Sequence, residues 1–150
     1  MATELLYGLV TAVLAKAERG RLDGFQARCL RRILKIPPSY YSRISNLHVF
    51  ARAGQKRLSE MLMRQQMILM GKLAFRPPYD PVRSSIFQPH SFKLRVLPGP
   101  AKRGRPRIRW PVQVLGMCIR TAGSYQQLLD YWHFENSSYA AWRSHVRRTT

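Results

Sequence analysis

Apolar residues recur every three or four positions over most of this chain, which is the spacing of an amphipathic helix. The first such run predicts a helix that ends at Pro37-Pro38, because proline cannot continue a helix. Its predicted apolar stripe consists of Leu22, Phe25, Cys29, Ile33 and Ile36. A later run predicts a long helix from about Arg57 to Phe75, and its methionine-rich face is typical of an adaptable core.

Small polar residues, proline and glycine mark the ends of further helices. Ser45 or Asn46 is expected to cap a short helix that Gly54 ends. Pro111 suits the first turn of a later helix, and the pattern from Ser124 onward is typical of a capping box that opens the next one. These punctuation residues therefore predict helices in both the first and the last third of the chain.

Proline separates these helical regions. Eight of the ten prolines lie between Pro77 and Pro111, where no helical period is sustained. Short extended pieces are expected there at 82–87 and 92–97. The sequence therefore predicts a mostly α protein with little or no sheet. Its three parts are a helical segment over 1–75, a Pro-rich basic connector over about 76–109, and a helical segment over 110–150.

An apolar run at 5–15 is the candidate for membrane insertion or export. Eleven residues are too few to span a bilayer, and the residues before the run include an acid and no base, unlike a secretory signal. A buried helix or strand is the better interpretation. We therefore expect a protein that is neither secreted nor transmembrane.

The charge of the chain is its strongest compositional feature. It has 26 Lys and Arg against 7 Asp and Glu, a formal net charge of +19, and 20 of the basic residues are Arg. No acid occurs between Asp23 and Glu60 or between Asp80 and Asp130. Such a charge repels itself unless a polyanion compensates it, and Arg suits bidentate phosphate contacts and stacking on bases. The expected partner is therefore nucleic acid, which favours a nuclear protein.

Two groups of residues are the candidate nucleic-acid contacts. On the first helix the basic face consists of Arg28, Arg31, Arg32 and Lys35. In the connector the candidates are Lys102, Arg103, Gly104, Arg105, Pro106, Arg107 and Arg109. The Arg-Gly-Arg-Pro core of the second group resembles an AT-hook, because Pro106 keeps the segment extended and Gly104 allows close approach to a minor groove. General phosphate contact, a nuclear-import signal and a solvated linker remain open alternatives.

Aromatic residues adjoin basic ones at three places, where they are able to stack on single-stranded bases or to pack in the core. Trp110 and Trp142 occur within predicted helices, so core packing is the better interpretation for them. Tyr40 and Tyr41 follow the proline pair and are expected to be exposed.

The sequence contains no constellation typical of catalysis. The four histidines are isolated from carboxylates and thiols, the seven acids are scattered, and no glycine-rich phosphate loop occurs. Cys29 and Cys118 lack the spacing of a zinc site or a disulfide framework. We therefore expect a non-enzymatic protein with no catalytic residues, no metal, no cofactor and no small-molecule substrate.

Five segments occur in a characteristic order. They are LLYG near the start, RLDGFQARCLRRILKI at 21–36, RISN at 43–46, RAGQKRLSEMLMRQQMILMGKLAFRP at 52–77 and KRGRPRIRW at 102–110. Together they resemble the region downstream of the reverse transcriptase core in LINE-type (non-LTR) retrotransposon polyproteins. The resemblance implies an accessory part that holds template RNA or target DNA during target-primed reverse transcription, without the polymerase and endonuclease activities of the whole polyprotein.

Two alternative interpretations follow from the same sequence. A host structural protein that packs against large RNA, of the ribosome-associated type, would have the same charge. A decayed transposon-derived reading frame with no selected function would retain the same motifs.

Overall fold

The computed structural model describes residues 6–95, 109–133 and 139–149. Within these ranges the chain forms eight helices: α1 Lys16–Ile33, α2 Ser39–Ser42, α3 Asn46–Ala53, α4 Leu58–Ala74, α5 Pro81–Ser84, α6 Trp110–Ala122, α7 Tyr125–Trp132 and α8 Tyr139–Thr149. The pairing of extended residues in the same ranges is limited to one antiparallel bridge between Phe87 and Leu94. The prediction of a mostly α protein is confirmed. None of the helices described is both long and apolar enough to cross a membrane.

The chain divides into two compact units, Met1–Leu62 and Met63–Thr150. The division falls inside α4, whereas the sequence analysis placed the end of its first segment near residue 75. Residues 76–95, which the sequence analysis assigned to a connector, are part of the packed second unit: Arg83 and Phe87 are both buried there. The expected extended piece at 82–87 is wrong over its first half, because Pro81–Ser84 forms α5 behind an Asp80 cap.

Helix ends that depend on local chemistry are where the sequence predicts them. The Ser45 hydroxyl accepts a hydrogen bond from the His48 amide at 3.3 Å, and Gly54 ends α3 with a φ of +61°. The Ser124 hydroxyl likewise accepts from the Gln127 amide at 3.1 Å and opens α7. These predictions are confirmed because a cap needs only residues within one turn of the helix end.

The first unit combines buried apolar side chains with specific polar contacts. α1 packs on α3, and two of its side chains cap the start of α4. The Asp23 carboxylate accepts hydrogen bonds from the amide and the hydroxyl of Ser59 at 2.9 and 2.7 Å. The Gln26 side-chain oxygen accepts from the Leu58 amide at 2.8 Å. A small apolar cluster of Leu6, Leu58 and Leu62 completes the unit.

The buried face of α1 differs from the predicted apolar stripe. Ala27 and Arg31 are buried, whereas Phe25 is 46% exposed and Ile33 is 74% exposed. The three- to four-residue spacing of apolar positions is by itself compatible with either side of α1 facing inward. The hydrogen bonds of Asp23, Gln26 and Arg31 determine which side faces inward, and apolar spacing does not show them.

The second unit has an aromatic core. Trp132 and Trp142 are fully buried and meet nearly perpendicularly, with ring centroids 5.9 Å apart. The Trp142 indole N–H donates to the Met67 carbonyl at 3.1 Å. Its ring lies against Gly71, where an added Cβ would be 2.2 Å from Trp142 Cδ1. The core positions predicted for Trp142 and for the methionine-rich face at Met67 are confirmed.

Candidate nucleic-acid interface

A cleft of about 450 Å³ opens in the first unit between α1 and the segment that follows it. One wall is α1 and the other is the segment from Pro38 to Asn46. The residues that line it are Arg21, Gly24, Arg28, Arg31, Pro38, Ser39, Tyr40 and Asn46. Three arginines and no carboxylate are among these lining residues, so the cleft is strongly electropositive.

Three exposed arginines form a stripe along α1. Arg21, Arg28 and Arg32 are separated by seven and four residues, which places them within about 40° of one another around the helix axis. Among the residues that the structure describes, none of the three guanidinium groups makes a hydrogen bond or an ion pair. Arg28 and Arg32 therefore lie where the sequence analysis placed them, on an open basic face.

Arg31 requires a correction. It was expected on the same basic face, but it is only 6% exposed. Its guanidinium donates to four oxygens at 2.5 to 3.4 Å, namely the carbonyls of Pro37 and Ile44, the Ser42 hydroxyl and the Asn46 side-chain oxygen. These bonds occupy the Nη1 and Nη2 donors, so they are not available for a bidentate contact with a phosphate, although the positive charge of Arg31 still lies in the cleft wall.

The four bonds of Arg31 fix the shape of the opposite wall. Ser42 also donates from its hydroxyl to the Pro37 carbonyl at 3.1 Å, and Arg43 ends α2 in the left-handed region with a φ of +53°. The result is a turn that presents Tyr40 and Tyr41 to solvent, 78% and 77% exposed. The prediction that both tyrosines are exposed is confirmed.

The remaining predicted contact residues are distributed as follows. Lys35 is exposed but lies beyond the last residue of α1, with a φ of +54°, so it does not continue the helical stripe. Arg109 is exposed at the start of α6 in the second unit. The connector residues Lys102, Arg103, Gly104, Arg105, Pro106 and Arg107 lie outside the described residues.

The described carboxylates of the first unit are engaged away from the cleft lining. Glu18 accepts from the Ala15 amide at 2.6 Å, and Glu60 pairs with Arg57 at 3.9 Å. The Asp23 carboxylate is bonded to Ser59. Since helix starts attract negative charge, these acids stabilise helix ends and leave the cleft positive.

Two groups with other chemistry, Cys118 and His145, lie in the second unit. Burial raises the pKa of the Cys118 thiol well above its usual range, which keeps it protonated and unreactive. His145 lies between Tyr131 and the Thr121 carbonyl, 3.1 Å from each. Over the described ranges no group of three His, Cys, Asp or Glu residues has the arrangement of a metal site. The arrangement that offers chemistry is thus the basic cleft, which is suited to binding an anion.

Sequence reasoning missed Arg21 and Gly24. Arg21 lies seven residues before Arg28, and that spacing already places both on one helix face. Gly24 is a glycine in a helix interior, where it costs up to about 1 kcal/mol relative to alanine. Both features are present in the sequence, but the apolar spacing of α1 identifies its apolar face and not the face that lines the cleft.

In comparisons with known proteins, no family model matches the chain, and no significantly similar curated protein or solved structure was found. The geometry of the cleft and the charge of the chain are thus the physical basis for assigning a function.

Proposed function

We propose that this protein is a non-catalytic nucleic-acid-binding protein that contacts phosphates through the basic cleft of its first unit. The observation that carries the proposal is the cleft itself, which has exposed arginines on one wall and no carboxylate among its lining residues. Planar guanidinium groups bind phosphates bidentately, and neutralising the phosphates of a nucleic acid releases counterions from the polymer. The net charge of +19 favours a long polyanion over a single small anion.

The arginines of the predicted connector provide a second contact in this proposal. Arg103, Arg105 and Arg107 alternate with glycine, proline or isoleucine, a pattern that suits an extended strand lying along a groove. The ordered segments that resemble the region downstream of the reverse transcriptase core in non-LTR retrotransposons support the same partner. We place the protein's origin in such an element and its site of action in the nucleus.

A salt titration of binding tests the proposal. For duplex DNA, log K is expected to fall against log salt with a slope of about −0.9 per phosphate contacted, so a combined Arg21→Gln and Arg28→Gln variant should reduce the slope by about 2. The matched control is Arg147→Gln with Arg148→Gln, which removes the same charge from exposed positions at the end of α8. Absence of binding at low salt would refute nucleic-acid binding, a shallow slope would refute phosphate contact, and equal losses in both variants would show that the cleft is not the site.

A further inference from the structure

The two exposed tyrosines of the first unit are held in place although they bury little surface. Tyr40 and Tyr41 adjoin each other with ring centroids 5.0 Å apart, on a helical turn of four residues. The turn is fixed from beneath by the four hydrogen bonds of Arg31. A buried cation thus holds a pair of aromatic rings in solvent, and one of those rings, Tyr40, lines the basic cleft.

Gly24 forms the floor of the cleft, although the packing of the fold does not require glycine at this position. Gly24 lies in the middle of α1, and a Cβ added there would meet no atom within 4 Å apart from its chain neighbours and the nearby backbone of its own helix. Alanine at this position would fit the fold and favour the helix. The missing side chain leaves space between Arg21 and Arg28, opposite the Tyr40 wall, in a cleft whose volume falls in the range of small-ligand sites.

We propose that the cleft binds single-stranded nucleic acid, with one unpaired base stacked on Tyr40 above Gly24 and the adjoining phosphates on Arg21 and Arg28. This inference rests on the proposed function and adds the strandedness of the partner. The faces of paired bases are stacked on one another inside a duplex, so an exposed tyrosine ring reaches only a base that is unpaired. Arginines and an aromatic ring in one cleft are the two features that single-strand grooves combine.

The first experiment removes the ring. Binding is measured by fluorescence anisotropy with labelled oligonucleotides of about 12 nucleotides, as single-stranded RNA, single-stranded DNA and the DNA duplex. We expect Tyr40→Ala to weaken single-strand binding about tenfold or more, because stacking contributes about 1–3 kcal/mol per base, and to leave duplex binding unchanged. Tyr40→Phe should bind as the natural chain does. Tyr79→Ala is the matched control, since Tyr79 is 86% exposed and belongs to the second unit.

The second experiment fills the open space above Gly24 in the cleft with a larger side chain. Gly24→Leu should abolish preferential single-strand binding while helical circular dichroism is retained, because the added side chain enters open space. Gly20→Leu is its matched control: Gly20 is one turn earlier on α1, also has no atom within 4 Å of an added Cβ, and lines a neighbouring cleft instead.

The outcomes separate the two proposals. If Tyr40→Ala and Gly24→Leu leave single-strand binding unchanged while the Arg21 and Arg28 variant weakens it, base stacking is refuted and phosphate contact stands. Equal weakening of single-strand and duplex binding by Tyr40→Ala also refutes the stacking role. If the natural chain binds none of the three oligonucleotides, the proposed function itself fails.

Discussion

Among the residues that the structure describes, one arginine is buried in each unit, Arg31 in the first and Arg83 in the second, and the two are accommodated in different ways. Arg31 in the first unit donates to four oxygens of a polar loop. Arg83 in the second unit is 2% exposed and donates to only two carbonyls, those of Ala74 and Ser91. Its guanidinium carbon lies 5.6 and 5.4 Å from the ring centroids of Phe87 and Phe92, and burial lowers its pKa. Within the described ranges Arg83 Nη1 has no hydrogen-bond partner.

The difference shows that burial alone does not determine what a charged side chain contributes. Arg31 donates to several oxygens of the 37–46 loop and gives this surface loop one shape. Arg83 fills space among aromatic rings, where a cation interacts with the ring faces but keeps one donor unmatched. The surroundings of Arg31 therefore depend on specific polar bonds, whereas those of Arg83 depend on the packing of large apolar rings.

The largest expected contrast is between two helix-interior glycines. Gly71→Ala in the second unit should lower the free energy of unfolding by about 3 kcal/mol, because its Cβ would overlap the buried Trp142 ring. Gly24→Ala in the first unit should raise it by up to about 1 kcal/mol. Urea unfolding followed by tryptophan fluorescence measures the first change, since all three tryptophans belong to the second unit. Hydrogen exchange of α1 amides measures the second, and equal effects would contradict the contrast.

The next largest contrast is between the two arginines. Arg31→Met should cost about 2 kcal/mol, because it removes four hydrogen bonds that hold the 37–46 loop, including those to the Ile44 carbonyl and the Asn46 side-chain oxygen. Arg83→Met should cost less, about 1 kcal/mol: the carbonyls of Ala74 and Ser91 lose a donor, but a thioether also packs well on aromatic rings and the unmatched donor is removed. The same two methods measure both changes. A larger loss of stability for Arg83→Met than for Arg31→Met would show that the packing of the aromatic rings around Arg83 depends on its positive charge.

A smaller contrast concerns aspartates that cap helices. Asp23→Ala should destabilise the first turn of α4 by about 1 kcal/mol, because the Ser59 amide loses its acceptor. Asp23→Asn should retain most of the stability, since an amide oxygen accepts the same bond. Hydrogen exchange at Ser59 is the measurement, and unchanged protection in Asp23→Ala would contradict the capping role.

The smallest effect is the pH dependence of the other capping aspartate, Asp80. Desolvation acts to raise the pKa of its carboxyl, but the amides of Arg83 and Val82 and the Arg76 guanidinium hold it below its ordinary value of 3.8. A lowered folded pKa means that the ionised carboxylate stabilises the fold above the unfolded pKa, and this stability is lost as pH falls through the folded value. The urea midpoints of the natural chain and of Asp80→Asn should therefore converge below about pH 4. A separation that stays constant with pH would contradict this.

Helix content and helix ends were predictable from the sequence because they depend on neighbours in the chain. Ser45, Gly54 and Ser124 act within one turn, so their roles follow from residue type and position. The face that α1 buries was not predictable in this way. It is determined by Asp23 and Gln26, which bond to residues 30 to 36 positions away.

The candidate site was partly predictable for the same reason. Helical spacing identified Arg28 and Arg32 as exposed, and the proline pair indicated that Tyr40 is exposed. The cleft was not predictable, because its second wall is a loop whose shape depends on the bonds of Arg31. Within a run of arginines, the local sequence does not distinguish an arginine that is a buried hydrogen-bond donor from one that is exposed to solvent.

The contrast between Gly24 and Gly71 has a consequence for how related copies of this sequence diverge. A lineage that conserves only the fold must keep glycine at position 71 opposite Trp142, but it is free to drift to alanine at position 24. Under the proposed binding of a base above Gly24, a lineage selected for that binding keeps both glycines. A lineage under no selection loses both at the neutral rate. The residues at positions 24 and 71 therefore distinguish a sequence under selection for binding from one that has lost selection.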